Sequence, residues 1–177
     1  RACGGRFAIV ASRYNARYVD AMVRAARAEL RRAGADRVEV VRVPGAFEIP
    51  VVAARLSRGA GIRPDAVVCL GVVLRGETSH ADHIGRGVTE ALVQLQIQTG
   101  VPMIHEVLLL DNEAQARVRC LSRDHNRGTE AAQSAIEMVR VLGRLEGGDD
   151  RVPHRLATLE RDDGALSRVV RGVRCRA

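Results

Sequence analysis

The densest chemistry in the sequence lies in Gly71–His80, GVVLRGETSH, where an apolar run opens into Arg75, Gly76, Glu77, Thr78, Ser79 and His80. Gly76 lets a backbone turn sharply and approach a ligand. Thr78 or Ser79 can cap a following helix, whose free N–H groups then form an anion site suited to phosphate. His80 falls in the first turn of that helix, where an imidazole can exchange protons near neutral pH. The same residues also suit an ordinary turn and cap, and read alone they leave that alternative open. His80 and His83 share a helix face with Asp82 between them, but no third and fourth ligand is evident nearby, so no metal is expected.

A second cluster reads VPGAFEIP from Val43 to Pro50. Between two prolines it sets Phe47, one of only four aromatic residues, beside the carboxylate of Glu48. Such a rigid loop can present amides and a carboxylate to hydroxyl groups; Phe47 could equally plug the core, and Glu48 could favour a helix N-terminus. Tyr14, after the first apolar run, could stack on a planar ring or be an ordinary surface aromatic.

These residues need elements to hold them. Four apolar runs, Arg6–Ser12, Val38–Val43, Ala66–Leu74 and Val101–Leu110, read as strands. The last two are nearly continuous in β-branched and Leu residues, as strands covered on both faces are. Helical stripes lie between and after them: Val19, Met22, Val23, Ala26 and Leu30, ended by Gly34; Ile84, Val88, Ala91, Leu92 and Leu95, closed by Gly100 and Pro102; and Ala132, Ala135, Ile136, Val139 and Leu142. A shorter helix follows Pro44–Pro50, with Pro50 in its first turn. The alternation predicts an α/β three-layer sandwich, flavodoxin-like, with a four-stranded parallel sheet flanked by helices on both faces. In open parallel sheets ligands bind beyond the carboxyl ends of the strands. The segments leaving those ends are Arg13–Asn15, Pro44–Glu48, Arg75–His80 and a stretch near Leu110–Asn112.

A chain of 177 residues with 46% hydrophobic residues fits one such domain, expected over residues 1–145. Glu146–Pro153, EGGDDRVP, reads as a linker. Residues 146–177 are expected to be an Arg-rich appendage, partly disordered, with one weak helical candidate around Leu156–Val170. The net charge of +7 comes entirely from arginine, scattered along the helices without interleaved aromatics, so nucleic acid is not an expected partner. The four cysteines are far apart, which excludes a local zinc ribbon or redox pair, and Cys69 reads as a buried free thiol of a reducing compartment. No membrane span or signal peptide is visible, and a cytoplasmic location is expected.

Taken together, SRYN, VPGAFEIP, GVVLRGETSHADHI, TGVPMIHEVLLLDNEAQARVR and HNRGTEAAQSAIEM occur in the order seen in 6,7-dimethyl-8-ribityllumazine synthases. The resemblance spans roughly Arg6 to Leu145. It implies condensation of 5-amino-6-(D-ribitylamino)uracil with 3,4-dihydroxy-2-butanone 4-phosphate, with loss of water and phosphate, in riboflavin biosynthesis. By resemblance Tyr14 stacks on the pyrimidine. Ala46, Phe47 and Glu48 hold the ribityl chain and ring edge, and Val72, Val73 and Leu74 bond the pyrimidine through backbone. Glu77 and Thr78 contact phosphate, His80 transfers protons, and Arg119 pairs with phosphate. The substrate brings its own amine nucleophile, so no cofactor is implied.

The resemblance further implies active sites between subunits of a homopentamer, with His105 and Arg119 reaching across the interface. Some members build sixty-subunit icosahedral shells, and riboflavin synthase is a further partner. His105 stands where many members carry Phe, His83 where Tyr is common, and Leu109–Asp111 where Thr-containing stretches are usual. The short stretch before the first strand argues against a shell, and the short Cys120–His125 loop does not obstruct one, so pentamer and shell both stay open. A non-catalytic shell or scaffold of the same fold that binds flavin-like rings is the alternative function. Retention of His80, Arg119 and Thr78 together favours the enzyme.

Overall fold

A computed structural model describes residues 4–59, 61 and 63–147. The chain divides into two units, Arg1–Gly143 and Arg144–Ala177. Only 144–147 of the second are described, so the Arg-rich appendage and its helical candidate lie outside the described residues.

The first unit is built from β1 (Arg6–Ser12), α1 (Ala16–Arg32), β2 (Arg37–Val43), a 3-10 turn (Ala46–Glu48), α2 (Ile49–Arg58), β3 (Ala66–Leu74), α3 (His80–Thr99), β4 (Met103–Leu110), α4 (Glu113–Leu121) and α5 (Arg127–Glu146). All strands are parallel, in the order β2-β1-β3-β4. β3 is central and buried from Ala66 to Val72, which is why its sequence shows no polar alternation.

Side chains alternate between two cores. Phe7, Ile9 and Ala11 of β1 pack with Val19, Met22, Ala26 and Leu30 of α1 and with the buried positions of α4 and α5. Ala8 and Val10 face the other way, onto Ala46, Ile49, Ala53, Val88 and Leu92 of the 3-10 turn, α2 and α3. The sheet is therefore the middle of three layers, as the periodicity predicts. Each large side chain that is fully buried contributes about 1.5–3 kcal/mol, so the stripes rather than helix propensity hold the layers on.

The chain ends its helices with the expected signals. Gly34 takes φ +82°, and the Ala35 N–H reaches back to the Leu30 carbonyl at 3.1 Å, closing α1 as a Schellman turn. Gly100 does the same work for α3 at φ +69°. One element departs from the sequence reading: α4, Glu113–Leu121, has no apolar stripe and buries only Ala116 and Cys120. Its start is set by Asn112, whose side chain accepts from the Gln115 N–H at 3.0 Å.

Strand order reverses direction between β1 and β3: the chain goes from β1 outward to β2, then crosses back to β3. The segments leaving β1 and β3 go to opposite faces of the sheet, which opens a crevice between them at the carboxyl edge.

Candidate active site

That crevice is a cavity of about 730 Å³. Its walls are Tyr14 and Asn15 after β1, Gly45–Glu48 after β2, Val72–Leu74 at the end of β3, and His80, His83 and Ile84 on the first turns of α3. A second depression of about 760 Å³ lies between α1 and α5, lined by Glu29, Arg32, Gln133 and Arg140 among others. It lies away from the strand ends, and its Glu29 is already hydrogen-bonded by Arg32 and Gln133. The residues singled out at the strand ends line the first.

The β1–α1 loop is held over the cavity by backbone bonds. The Arg13 N–H donates to the Val43 carbonyl at 2.8 Å and the Tyr14 N–H to the Pro44 carbonyl at 3.2 Å. These pull the chain leaving β1 towards β2 and away from β3. β3 pairs with β1 only as far as Ala11–Leu70, while its pairing with β4 continues to Leu74–Leu110. The N–H groups of Val67 and Arg75 bond towards β4, so by the alternation of a strand the main-chain groups of Val72 and Leu74 point to the side that β1 has vacated. Asn15 occupies part of that edge. It has φ 54°, in the left-handed region, and its Nδ2 donates to the Val72 carbonyl at 2.8 Å.

The 3-10 turn supplies the adjoining wall. Glu48 accepts the Gly45 N–H on Oε2 at 2.8 Å, which locks the turn and leaves its other carboxylate oxygen for a hydroxyl. A Cβ on Gly45 would lie 2.9 Å from that Oε2 and 3.3 Å from the Tyr14 ring, so a larger residue would make both side chains shift. Phe47 lies across Gly87 of α3, where an added Cβ would be 3.7 Å from its ring. Tyr14 and Phe47 remain 72% and 65% exposed. Neither is a core plug.

His80 is the first residue of α3, exposed and facing the cavity. Ser79 occupies the cap position without making a side-chain cap bond; its hydroxyl is 3.3 Å from His83 Nε2 instead. The helix N–H groups beside Glu77 and Thr78 are therefore not covered by a side-chain cap. Arg75, whose role the sequence leaves undecided, is a brace: it pairs with Asp82 at 2.8 Å and Asp111 at 3.3 Å, tying the β3–α3 loop to α3 and to the end of β4. Gly76 does not adopt a positive φ, and a Cβ there would meet nothing within 4 Å of the chain. No turn within the chain requires glycine at that position.

Of the residues singled out in the sequence, Tyr14, Ala46, Phe47, Glu48, Val72, Val73, Leu74 and His80 line the cavity. Glu77 and Thr78 are exposed in the loop just before α3 and are not part of its lining. His105 and Arg119 do not line it. His105 is on the edge strand β4, with Nε2 2.9 Å from the Thr89 hydroxyl of α3. Arg119 is exposed on α4 and makes no ion pair within 4.0 Å among the described residues. Asn15, Gly45, His83 and Ile84 line the cavity without having been picked out as ligand-contacting residues.

Near Arg119 lies Glu106 of β4, half-buried. Burial raises its carboxyl above the usual range; Arg127 and Arg119 oppose that rise and Glu130 adds to it. Among the described residues no group of three or more His, Cys, Asp or Glu side chains is placed to hold a metal ion, and no helix is long and apolar enough to cross a membrane.

Comparison with known proteins agrees with this geometry. The sequence model of 6,7-dimethyl-8-ribityllumazine synthase matches residues 4–143. The 6,7-dimethyl-8-ribityllumazine synthase of Xanthomonas campestris pv. campestris is 42% identical over 142 residues, covering 79% of this chain and 91% of the relative. That of Kineococcus radiotolerans is 46% identical over 141 residues, covering 78% and 86%. That of Salinibacter ruber is 42% identical over 146 residues, covering 81% and 92%. The chain belongs to the 6,7-dimethyl-8-ribityllumazine synthase family.

Proposed function

We propose that the cavity is one half of the site at which this enzyme condenses 5-amino-6-(D-ribitylamino)uracil with 3,4-dihydroxy-2-butanone 4-phosphate, and that a second copy of the chain supplies the other half. The observation that carries the reading is the exposure of Tyr14 and Phe47. A chain with only four aromatics leaves two of them uncovered, both lining the cavity at its sheet switch point. Exposed rings in such a cavity suit a planar ligand.

The remaining groups fit the two substrates. Backbone of Val72 and Leu74 at the vacated β3 edge can pair with the alternating donors and acceptors of a pyrimidine, while Ala46, Phe47 and Glu48 hold its edge and ribityl chain. The N–H groups at the start of α3, with Glu77 and Thr78, receive the phosphate. Arg119 and His105 close the site from the neighbouring subunit, Arg119 on the phosphate and His105 on the ring. The substrate amine attacks the ketone, water leaves as the imine forms, and phosphate departs by elimination; the ribitylamino nitrogen then closes the ring on the remaining carbonyl with loss of a second water. His80 carries the protons of the imine and elimination steps. Juxtaposition and a bound leaving group supply the rest, so neither cofactor nor metal enters.

In this reading residues 1–145 carry the reaction as a homopentamer or a shell of pentamers. The product passes to riboflavin synthase in the cytoplasm, and the free, buried Cys69 and Cys120 suit that compartment. Turnover of the two substrates tests it. His80→Ala is expected to lower kcat about 10²- to 10⁴-fold, the usual share of a general acid–base group. Arg119→Ala should chiefly raise KM for the phosphate-bearing substrate. A wild-type protein that assembles yet forms no lumazine would instead be a scaffold of this fold.

A further inference from the structure

We propose that Glu106 is a counter-charge to Arg119 that weakens its hold on phosphate, so that the leaving group, once released, does not stay. The inference rests on the reading of Arg119 as a phosphate ligand given above.

The geometry starts with strand alternation. Ile104, Leu108 and Leu110 of β4 join the core on the α1, α4 and α5 face. Glu106 shares their parity, so its carboxylate points at that same face, between apolar neighbours. A carboxylate there is costly unless cations compensate it. They come from the turn between α4 and α5. Asn126, buried, ties that turn: its Nδ2 donates to the Cys120 carbonyl and its Oδ1 accepts the Gly128 N–H at 2.9 Å. The tie sets Arg119 and Arg127 on either side.

The groups facing Glu106 are then Arg119 and Cys120 from α4, and Arg127 and Glu130 from α5. Arg127 is already paired with Glu130 at 2.5 Å. Arg127 acts on Glu106 more strongly than Arg119 does, but its charge is shared with Glu130; Arg119 has no ion pair within 4.0 Å among the described residues, so its charge stays open to the influence of Glu106. Glu106 makes no hydrogen bond to it and acts through space, without touching the ligand.

The consequence is electrostatic. Free Arg119 is stabilised by the nearby carboxylate, whereas phosphate on Arg119 brings like charge towards it. Glu106 therefore disfavours the phosphate-bound state. Losing a proton adds this negative charge and gaining one removes it. Anion binding should accordingly tighten as pH falls through the titration of Glu106 and loosen as pH rises. Sulfate keeps its double charge over that range, so any pH trend in its affinity comes from the protein.

The test uses the assembled enzyme, with sulfate and inorganic phosphate as competitors of the phosphate-bearing substrate. Glu106→Gln keeps the shape and removes the charge. It is expected to lower the inhibition constant of sulfate about three- to tenfold, the scale of one partly screened charge. It should also lower KM for the phosphate-bearing substrate, leave KM for the pyrimidine substrate unchanged, and flatten the pH dependence of sulfate inhibition. Glu106→Asp should restore wild-type behaviour, and Glu106→Ala serves the same comparison if the Gln variant does not assemble. Sulfate affinity unchanged or weakened in Glu106→Gln, while Arg119→Ala abolishes it, overturns the inference and leaves the site reading standing. Sulfate indifferent to Arg119→Ala overturns both.

Discussion

Asn15 holds φ 54° and ψ 41°, a region that costs most L residues about 1 kcal/mol or more, and spends its amide on the Val72 carbonyl. Asn15→Gly keeps the backbone and loses the bond; Asn15→Ala loses both. Denaturant unfolding should show Asn15→Ala less stable than wild type by about 1–2 kcal/mol and Asn15→Gly closer to it, while both raise KM for the pyrimidine substrate. Equal stability of the two variants would remove the backbone argument. Asn15 could be read in SRYN as a residue tolerant of this conformation, but its partner stands far along the chain and no local pattern announces it. Arg75 was undecidable for the same reason, since Asp82 and Asp111 meet it only through the fold. Tyr14, Phe47 and His80 were readable because rare residue types at strand ends carry their own signal. The buried thiols make a separate prediction. Burial pushes Cys69 up to about 12 and Cys120 up to about 11, from 9.0. Unfolding lets them ionise near pH 9, so their contribution is whole below that pH and is lost as pH rises towards the folded values. Stability should fall by up to about 1.4 kcal/mol per pH unit per thiol above pH 9 or so. Cys69→Ala should flatten that slope in urea unfolding series; an unchanged slope would assign the alkaline loss elsewhere.

At the scale of elements, periodicity recovered every strand and the long helices, because each buries a continuous stripe against the sheet. α4 escaped it. A nine-residue helix that buries only Ala116 and Cys120 has no stripe to find, although Asn112 and Gln115 at cap spacing were a usable signal. The cost of missing it is functional, since α4 carries Arg119. One contact that holds α5 to α1 is equally invisible in hydropathy. Gly128, in the first turn of α5, meets the backbone of α1 so closely that an added Cβ would sit 2.1 Å from the Met22 carbonyl oxygen. Backbone cannot yield as a side-chain tip can. Gly128→Ala should therefore destabilise by at least about 1–3 kcal/mol. Gly143 in the same helix has nothing within 4 Å, and Gly143→Ala should stabilise by about 0.5–1 kcal/mol through backbone entropy alone. Thermal or urea unfolding of the pair checks both; similar effects of the two substitutions would show that helix propensity, not the α1–α5 contact, governs Gly128.

For the whole molecule the decisive fact is that one chain holds its proposed groups in two places. Tyr14, Phe47 and His80 surround the cavity, while His105 and Arg119 stand on β4 and α4 and do not line it. Spacing alone could not show this division, which only the resemblance implied: His105 lies inside β4 and Arg119 within α4, and how far either stands from the crevice is set by the fold. If each interface of a closed ring joins the first half of one subunit to the second half of its neighbour, two impaired variants can repair each other. His80→Ala subunits keep an intact Arg119, and Arg119→Ala subunits keep an intact His80. Dissociated, mixed in equal amounts and reassembled, they place two intact halves at about a quarter of the interfaces, whatever the number of subunits in the ring. Assayed with the phosphate-bearing substrate far below the raised KM of Arg119→Ala, activity should then recover to about a quarter of wild type, while each variant reassembled alone stays well below that level. A site contained within one chain predicts no recovery at all, since every chain in the mixture carries a defect. The recovered fraction therefore measures how the site is divided, independently of how much either residue contributes to the rate.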